Sequence, residues 1–179
     1  MSEKTRRILV ISPNDECLVL LMQYILQREI DKRGFNTDGL VKVESAVVAR
    51  GPAGEIDEWV VDILHRHYKY EVEEIDTVCR ALSDVPNLPQ VWLNVCLDPN
   101  KHDRRELTRA AGGPGAISHA TFITPFEDDE NEEGIVDPRG APEQEQKQAY
   151  EKCWRKANRF AAWFVDTYFV RPSRTRRPL

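Results

Sequence analysis

Long apolar runs are missing from this 179-residue chain. The longest, such as Cys17–Met22, fall far short of the roughly 20 residues that cross a bilayer. No charged–apolar–small leader opens the sequence, so neither a membrane-spanning nor an exported protein is expected. Cysteine is sparse and dispersed: Cys17, Cys79, Cys96 and Cys153 form no CxxC pair. They read as buried or free thiols of a reducing compartment, with no disulfide framework and no zinc finger. Glycine is scarce too, nine in all, and there is no GxGxxG, Walker, HExxH or GxSxG motif. His65 and His67 stand two apart on a helical stretch and face away from each other, a poor metal pair. No metal and no cofactor are therefore expected. An excess of base is also lacking. Acids outnumber bases 30 to 25 and the formal net charge is −5, so bulk charge gives no reason to expect a nucleic-acid binder.

Charge that is present is unevenly placed. Glu127–Glu133 reads EDDENEE, and the last nine residues, Arg171–Leu179, carry four arginines; without that tail the net charge moves from −5 to −9. The acidic run, between Pro125 and Gly134, is expected to be a solvated loop. The tail RPSRTRRPL has two prolines and no apolar periodicity, and is expected to be disordered. Nucleic acid could be met only through Arg171–Arg177. The division expected is one domain over 1–170 and a basic tail over 171–179.

The apolar pattern alternates between strand and helix. Arg7–Ser12 suits a buried strand, and about Asp15 to Arg33 has the i, i+3, i+4 spacing of a helix that Gly34 would stop. Leu40–Ala46 predicts a second strand, Ile56–His67 a helix, Val91–Leu97 a third strand and Asp103–Ala110 a charged helix. Ala120–Pro125 predicts a fourth strand. An apolar stripe from Tyr150 to Tyr168 predicts a closing helix of about 25 residues. Strands alternating with crossover helices imply an α/β fold with a parallel sheet.

Ligands of open parallel sheets bind at the carboxyl ends of the strands, so the loop Ser12–Asp15 (SPND) is the place to look. A phosphate cradle would want glycines, inward amides and a cation. This loop has no glycine, a proline that removes one N–H, and acids that repel anions. Ser12, Asn14 and Asp15 are equally explained as capping residues of the first helix.

The order of further landmarks resembles the low-molecular-weight protein tyrosine phosphatases, which include a class of arsenate reductases. The strand Ile8–Ile11 runs into a loop with Asn14 and a long amphipathic helix. Glu44-Ser45-Ala46 is similar to the family's "SA" after strand two. Arg80–Asp84 (RALSD) is similar to its RQLT/ED stretch and Leu97-Asp98 to its MD pair. Val136–Gly140 (VDPRG) is similar to its D-P-Y/R-x-G loop, and a long terminal helix follows. The resemblance covers about Ile8 to Val170. It implies a three-layer sandwich, a four-stranded parallel sheet flanked by helices, and it implies that Asp137 matches the general acid. It also implies that Asn14 and Ser45 match residues supporting the phosphate loop; Arg139, in the VDPRG match, is a further candidate binding residue.

One departure outweighs the match. The family's signature is a cysteine, five residues and an arginine. Aligned on VISPNDEC, Ile11 falls on the nucleophile, Pro13 on a loop glycine, Cys17 on the arginine and Leu18 on the following serine. Attack on phosphorus needs a thiolate, and the transition state needs a guanidinium. Moving the register does not help, because six residues after Cys17 stands Gln23. The literal C-x5-R, Cys153–Arg159, lies within the predicted terminal helix, where backbone amides are already bonded. A receiver domain is a rival, since ILVISPND begins like one and Thr124-Pro125-Phe126 is similar to its K-P-F. It lacks the paired acids and the lysine, and about 45 residues between strands two and three are too many for its single crossover.

The expectation is a pseudophosphatase acting by protein contact, through a site drawn from Ser12, Asn14, Asp15, Ser45, Asp137 and Arg139. The alternative is an active phosphatase or other hydrolase using displaced residues in the same cleft. A cytoplasmic location is expected, with the basic tail compatible with nuclear entry.

Overall fold

A computed structural model describes residues 5–48, 56–76, 78–97, 101–113, 122–123 and 134–171. In chain order its elements are β1 (Arg6–Ser12), α1 (Glu16–Lys32), β2 (Val41–Val47), α2 (Glu58–Tyr68), β3 (Arg80–Ala81), β4 (Leu93–Cys96), α3 (Lys101–Ala110), β5 (Phe122–Ile123) and α4 (Gln146–Val165). All strand pairings are parallel and the spatial order is β3-β2-β1-β4-β5. The expected four-stranded parallel sheet flanked by helices is present as β1, β2, β4 and β5. The two-residue β3 extends it at one edge, pairing Ala46 with Arg80 and Val47 with Ala81. Two residues carry no periodicity, which is why the RALSD stretch reads as no strand in sequence.

Side chains alternate across β1, and both sets are buried. Ile8 and Val10 join the core built with α1, α2 and α4, whereas Leu9 and Ile11 join a second core with Leu82, Val85, Val91 and Leu107 of α3. The continuous apolar run RILVIS is thus that of a central strand covered on both faces.

The helix α1 contributes ten buried residues, from Cys17 to Ile30, because the sheet, α2 and α4 all pack on it. Its end follows from Gly34 at φ +76°. The amide of Gly34 donates to the Asp31 carbonyl (3.0 Å) and that of Phe35 to the Ile30 carbonyl (3.1 Å), closing a Schellman turn. The closing helix α4 runs for 20 residues and continues as a five-residue π-helical turn, Asp166–Val170, giving the expected length.

Several boundaries differ from the sequence reading by a residue or two, and those of β4 and α2 have a clear local cause. The strand β4 is shorter than Val91–Leu97, since the Val91 amide closes a 3-10 turn onto the Leu88 carbonyl (3.0 Å). The helix α2 starts at Glu58, because the Asp57 side chain caps it by accepting from the Trp59 amide. The acidic run Glu127–Glu133, Asp98, most of Ala120–Pro125 and residues 172–179 lie outside the described residues. All four cysteines are buried free thiols, and no described helix is long and apolar enough to cross a membrane.

Candidate functional site

Parallel strands put their carboxyl ends on one edge, so the loops leaving β1 and β2 are neighbours there. Residue Ser12, at the end of β1, is buried and its Oγ accepts from the Asp15 amide at 3.2 Å. The Asp15 carboxylate in turn accepts from the Leu18 amide at 3.0 Å, which makes it the N-cap of α1. The expected capping role of this loop is therefore met by Ser12 and Asp15. By contrast Asn14 is exposed, with no side-chain hydrogen bond to the described residues.

Asp137 and Arg139 arrive from the turn that precedes α4. The Asp137 carboxylate accepts from the Arg139 amide (2.8 Å) and forms a forked pair with its guanidinium, whose Nε lies 3.0 and 2.8 Å from the two oxygens while Nη2 also bonds Oδ2. The same guanidinium reaches Asp15 at 3.7 Å and Asp57, the cap of α2, at 3.8 Å. Three carboxylates from three loops thus surround one arginine. Asp15, Asp137 and Arg139 are legible as site residues in the sequence, but Asp57 is not among them. The available signal is an acid directly ahead of an amphipathic helix, on the edge where β2 ends.

Ser45 does not join this cluster. It is buried in β2, donates to Gln23 Oε1 of α1 at 2.6 Å and lies 3.9 Å from the Cys79 thiol, so it ties the sheet to α1.

Electrostatics separate the two nearest carboxyls. Burial pushes Asp15 up to about 6; the Leu18 amide opposes this and the neighbouring Asp137 adds to it. Burial also acts on Asp137, but the hydrogen bonds and charge of Arg139 outweigh it and hold that carboxyl below its usual range. One acid is therefore poised near neutrality while the other stays ionised.

The thiols behave as core groups. Burial raises Cys17 despite the Asp57 backbone amide and Arg139 nearby, and it takes Cys153 up to about 12. Ile11, which the sequence resemblance sets against the family's cysteine, is fully buried against the α3 side of the sheet. Cys153 lies on the buried face of α4 and Arg159 on its exposed face, six residues on within one helix, so that C-x5-R forms no loop. Among the described residues no three His, Cys, Asp or Glu side chains converge as metal ligands.

Neither a protein-family model nor a curated protein sequence matches the chain. Solved structures do. A low-molecular-weight protein tyrosine phosphatase from T. tengcongensis superposes with a TM-score of 0.66 at 16% identity, covering 90% of this chain and 98% of that one. YfkJ from Bacillus subtilis gives 0.70 at 13% identity over 97% and 100%. The YwlE arginine phosphatase, in a mutant form with a phosphorylated active-site serine, gives 0.61 at 16% identity over 92% and 98%. The chain has the fold of the low-molecular-weight protein tyrosine phosphatases.

Proposed function

We propose that this protein is a degenerate relative of these phosphatases, a pseudophosphatase that acts through protein contacts. The observation that carries this reading is the state of Arg139. A phosphoryl oxygen needs an unclaimed cation, and the guanidinium at this cleft is shared among Asp15, Asp57 and Asp137. Counting those side chains as ionised leaves the cluster with net charge −2, which repels a phosphate ester. The general-acid position is also compromised. An acid must hold a proton to give it to a leaving oxygen, and Arg139 keeps Asp137 ionised. No thiol beside the cleft is activated, since burial raises both Cys17 and Cys153.

One observation favours the alternative of an active hydrolase. Asp15 and Asp137 are pushed apart in titration, the arrangement by which one carboxyl can donate a proton while another stays a base. Such an enzyme would need neither cysteine. A cytoplasmic location fits four reduced thiols, and the Arg171–Arg177 tail offers a route to an acidic partner or to the nucleus.

Aryl phosphate turnover by the purified protein separates the readings. The expected result is no turnover above the buffer rate, together with no saturable amide shifts at residues 12–18 on titration with vanadate. Turnover that is abolished by Asp137→Ala and unaffected by Cys17→Ser would sink the pseudophosphatase and establish displaced carboxyl chemistry.

A further inference from the structure

Helical spacing decides what lines the groove between α2 and α4. Trp59, Ile63 and His67 stand four apart on α2, and Tyr150 and Trp154 four apart on α4, so each helix turns one row into the groove. The rows meet in aromatic pairs. Trp59 lies against Tyr150 with ring centres 5.5 Å apart, and His67 stacks on Trp154 at 4.0 Å with the planes 20° apart. Ile63, buried, stands between Trp59 and His67 along α2. The slot so formed has a volume of about 510 Å³, which suits a small ligand.

Its walls are open to an occupant. Tyr150 and Trp154 are half-buried and His67 is exposed, so aromatic surface still meets solvent there. Trp59 is 9% exposed, and its buried indole N–H has no acceptor among the described residues, a donor the unliganded fold leaves unsatisfied. Charge at the rim decides what kind of ring fits. Asp62 pairs with Arg66 at 2.6 Å and Glu151 with Arg155 at 3.8 Å, each pair within one helix, and these charges cancel. Lys147 also lines the slot; it is exposed and has no ion pair among the described residues. Glu143 and Glu145, in the turn before α4, do not line it. The uncompensated charge is therefore one cation, in the first turn of α4, where the helix dipole also favours an anion.

We propose that the slot between α2 and α4 binds a small arylcarboxylate, its ring against the aromatic pairs and its carboxylate at Lys147. Lys147 stands three residues before Tyr150, about 5–6 Å away between Cβ atoms, so a ring lying on Tyr150 leaves its carboxylate within reach of the ammonium. The rings supply the affinity, because an exposed ion pair contributes little by itself; the charge selects among rings. A quaternary ammonium is the other ligand that aromatic walls attract, and Lys147 repels it while both acids of the rim are already paired. A nucleotide brings more negative charge than one lysine offsets. This inference stands apart from the Asp15–Arg139 cluster and holds whether or not that cleft catalyses.

The test titrates indole-3-acetate into the nitrogen-15-labelled full chain and follows its four indole N–H signals by NMR. Trp59 and Trp154 line the slot, whereas Trp92 and Trp163 do not. Saturable shifts of the first two with the other two unmoved are expected, at a Kd of about 1 mM or tighter. Lys147→Gln should weaken indole-3-acetate about threefold or more and leave the uncharged indole-3-acetamide unchanged. His67→Ala should weaken both about threefold or more. Both residues are exposed, and circular dichroism checks that the variants are folded. No saturation, equal shifts of all four indoles, or equal weakening of acid and amide by Lys147→Gln would each overturn the proposal. So would tighter binding of tetramethylammonium, or of a hexapeptide ending in tryptophan, since the slot would then belong to a cation or to a protein terminus.

Discussion

Asp15 is pulled in two directions. As the N-cap of α1 it accepts from the Leu18 amide, which favours the charged form, while burial and Asp137 favour the proton and win, taking it up to about 6 from 3.8. A carboxyl raised on folding makes the ionised group a cost to stability. That cost is absent below the unfolded value near 3.8, grows as pH rises toward 6, and is complete above. Asp137 has the opposite sign. Its lowered value contributes stability that is present above the ordinary carboxylate range and is lost only under stronger acid. Asp15→Asn keeps a capping oxygen and removes the charge. It should raise the unfolding free energy at pH 8 by about 1–2 kcal/mol, with the gain fading toward pH 4, as read from urea unfolding across that range. The capping role is visible in SPND followed by an apolar periodicity. The shifted proton is not, because it depends on burial and on Asp137, 122 positions away in sequence.

At the scale of elements, what can be read locally is what local chemistry decides. Helix α1 ends where Gly34 stands, since the left-handed φ of +76° lets the amides of Gly34 and Phe35 turn back onto Asp31 and Ile30. A Cβ at Gly34 would meet nothing within 4 Å, so Gly34→Ala tests the backbone alone. The expected loss is about 1 kcal/mol, measured as a lower denaturant midpoint with an unchanged slope. Strand β3 shows the opposite case. Its two residues become a strand only because the edge of β2 presents Ala46 and Val47 to pair with. Ser45 illustrates the same limit: the "SA" resemblance implies support for a phosphate loop, but its hydroxyl faces Gln23 of α1.

For the whole molecule, one sheet separates two cores. Phe164 is fully buried among α4, α1 and the sheet, touching Phe160, Tyr168 and Phe169, and Leu107 is fully buried on the opposite side. Because β1 contributes to both cores, they should unfold together. Phe164→Ala is expected to cost about 3–5 kcal/mol, with far-ultraviolet circular dichroism and tryptophan fluorescence still reporting coincident transitions. Residue type and spacing over a few turns are enough to dictate the alternation of strands and helices and the end of α1. The resemblance read from them sets Ile11 and Cys17 against the cysteine and arginine of the phosphatase signature. Folding in three dimensions was needed to close Asp15, Asp57 and Asp137 on the guanidinium of Arg139, and to lay α2 beside α4 so that Trp59 and His67 meet Tyr150 and Trp154. Those contacts join residues that no local periodicity relates. They form because the parallel strands β1 and β2 deliver their loops to one edge and α1, α2 and α4 share one core.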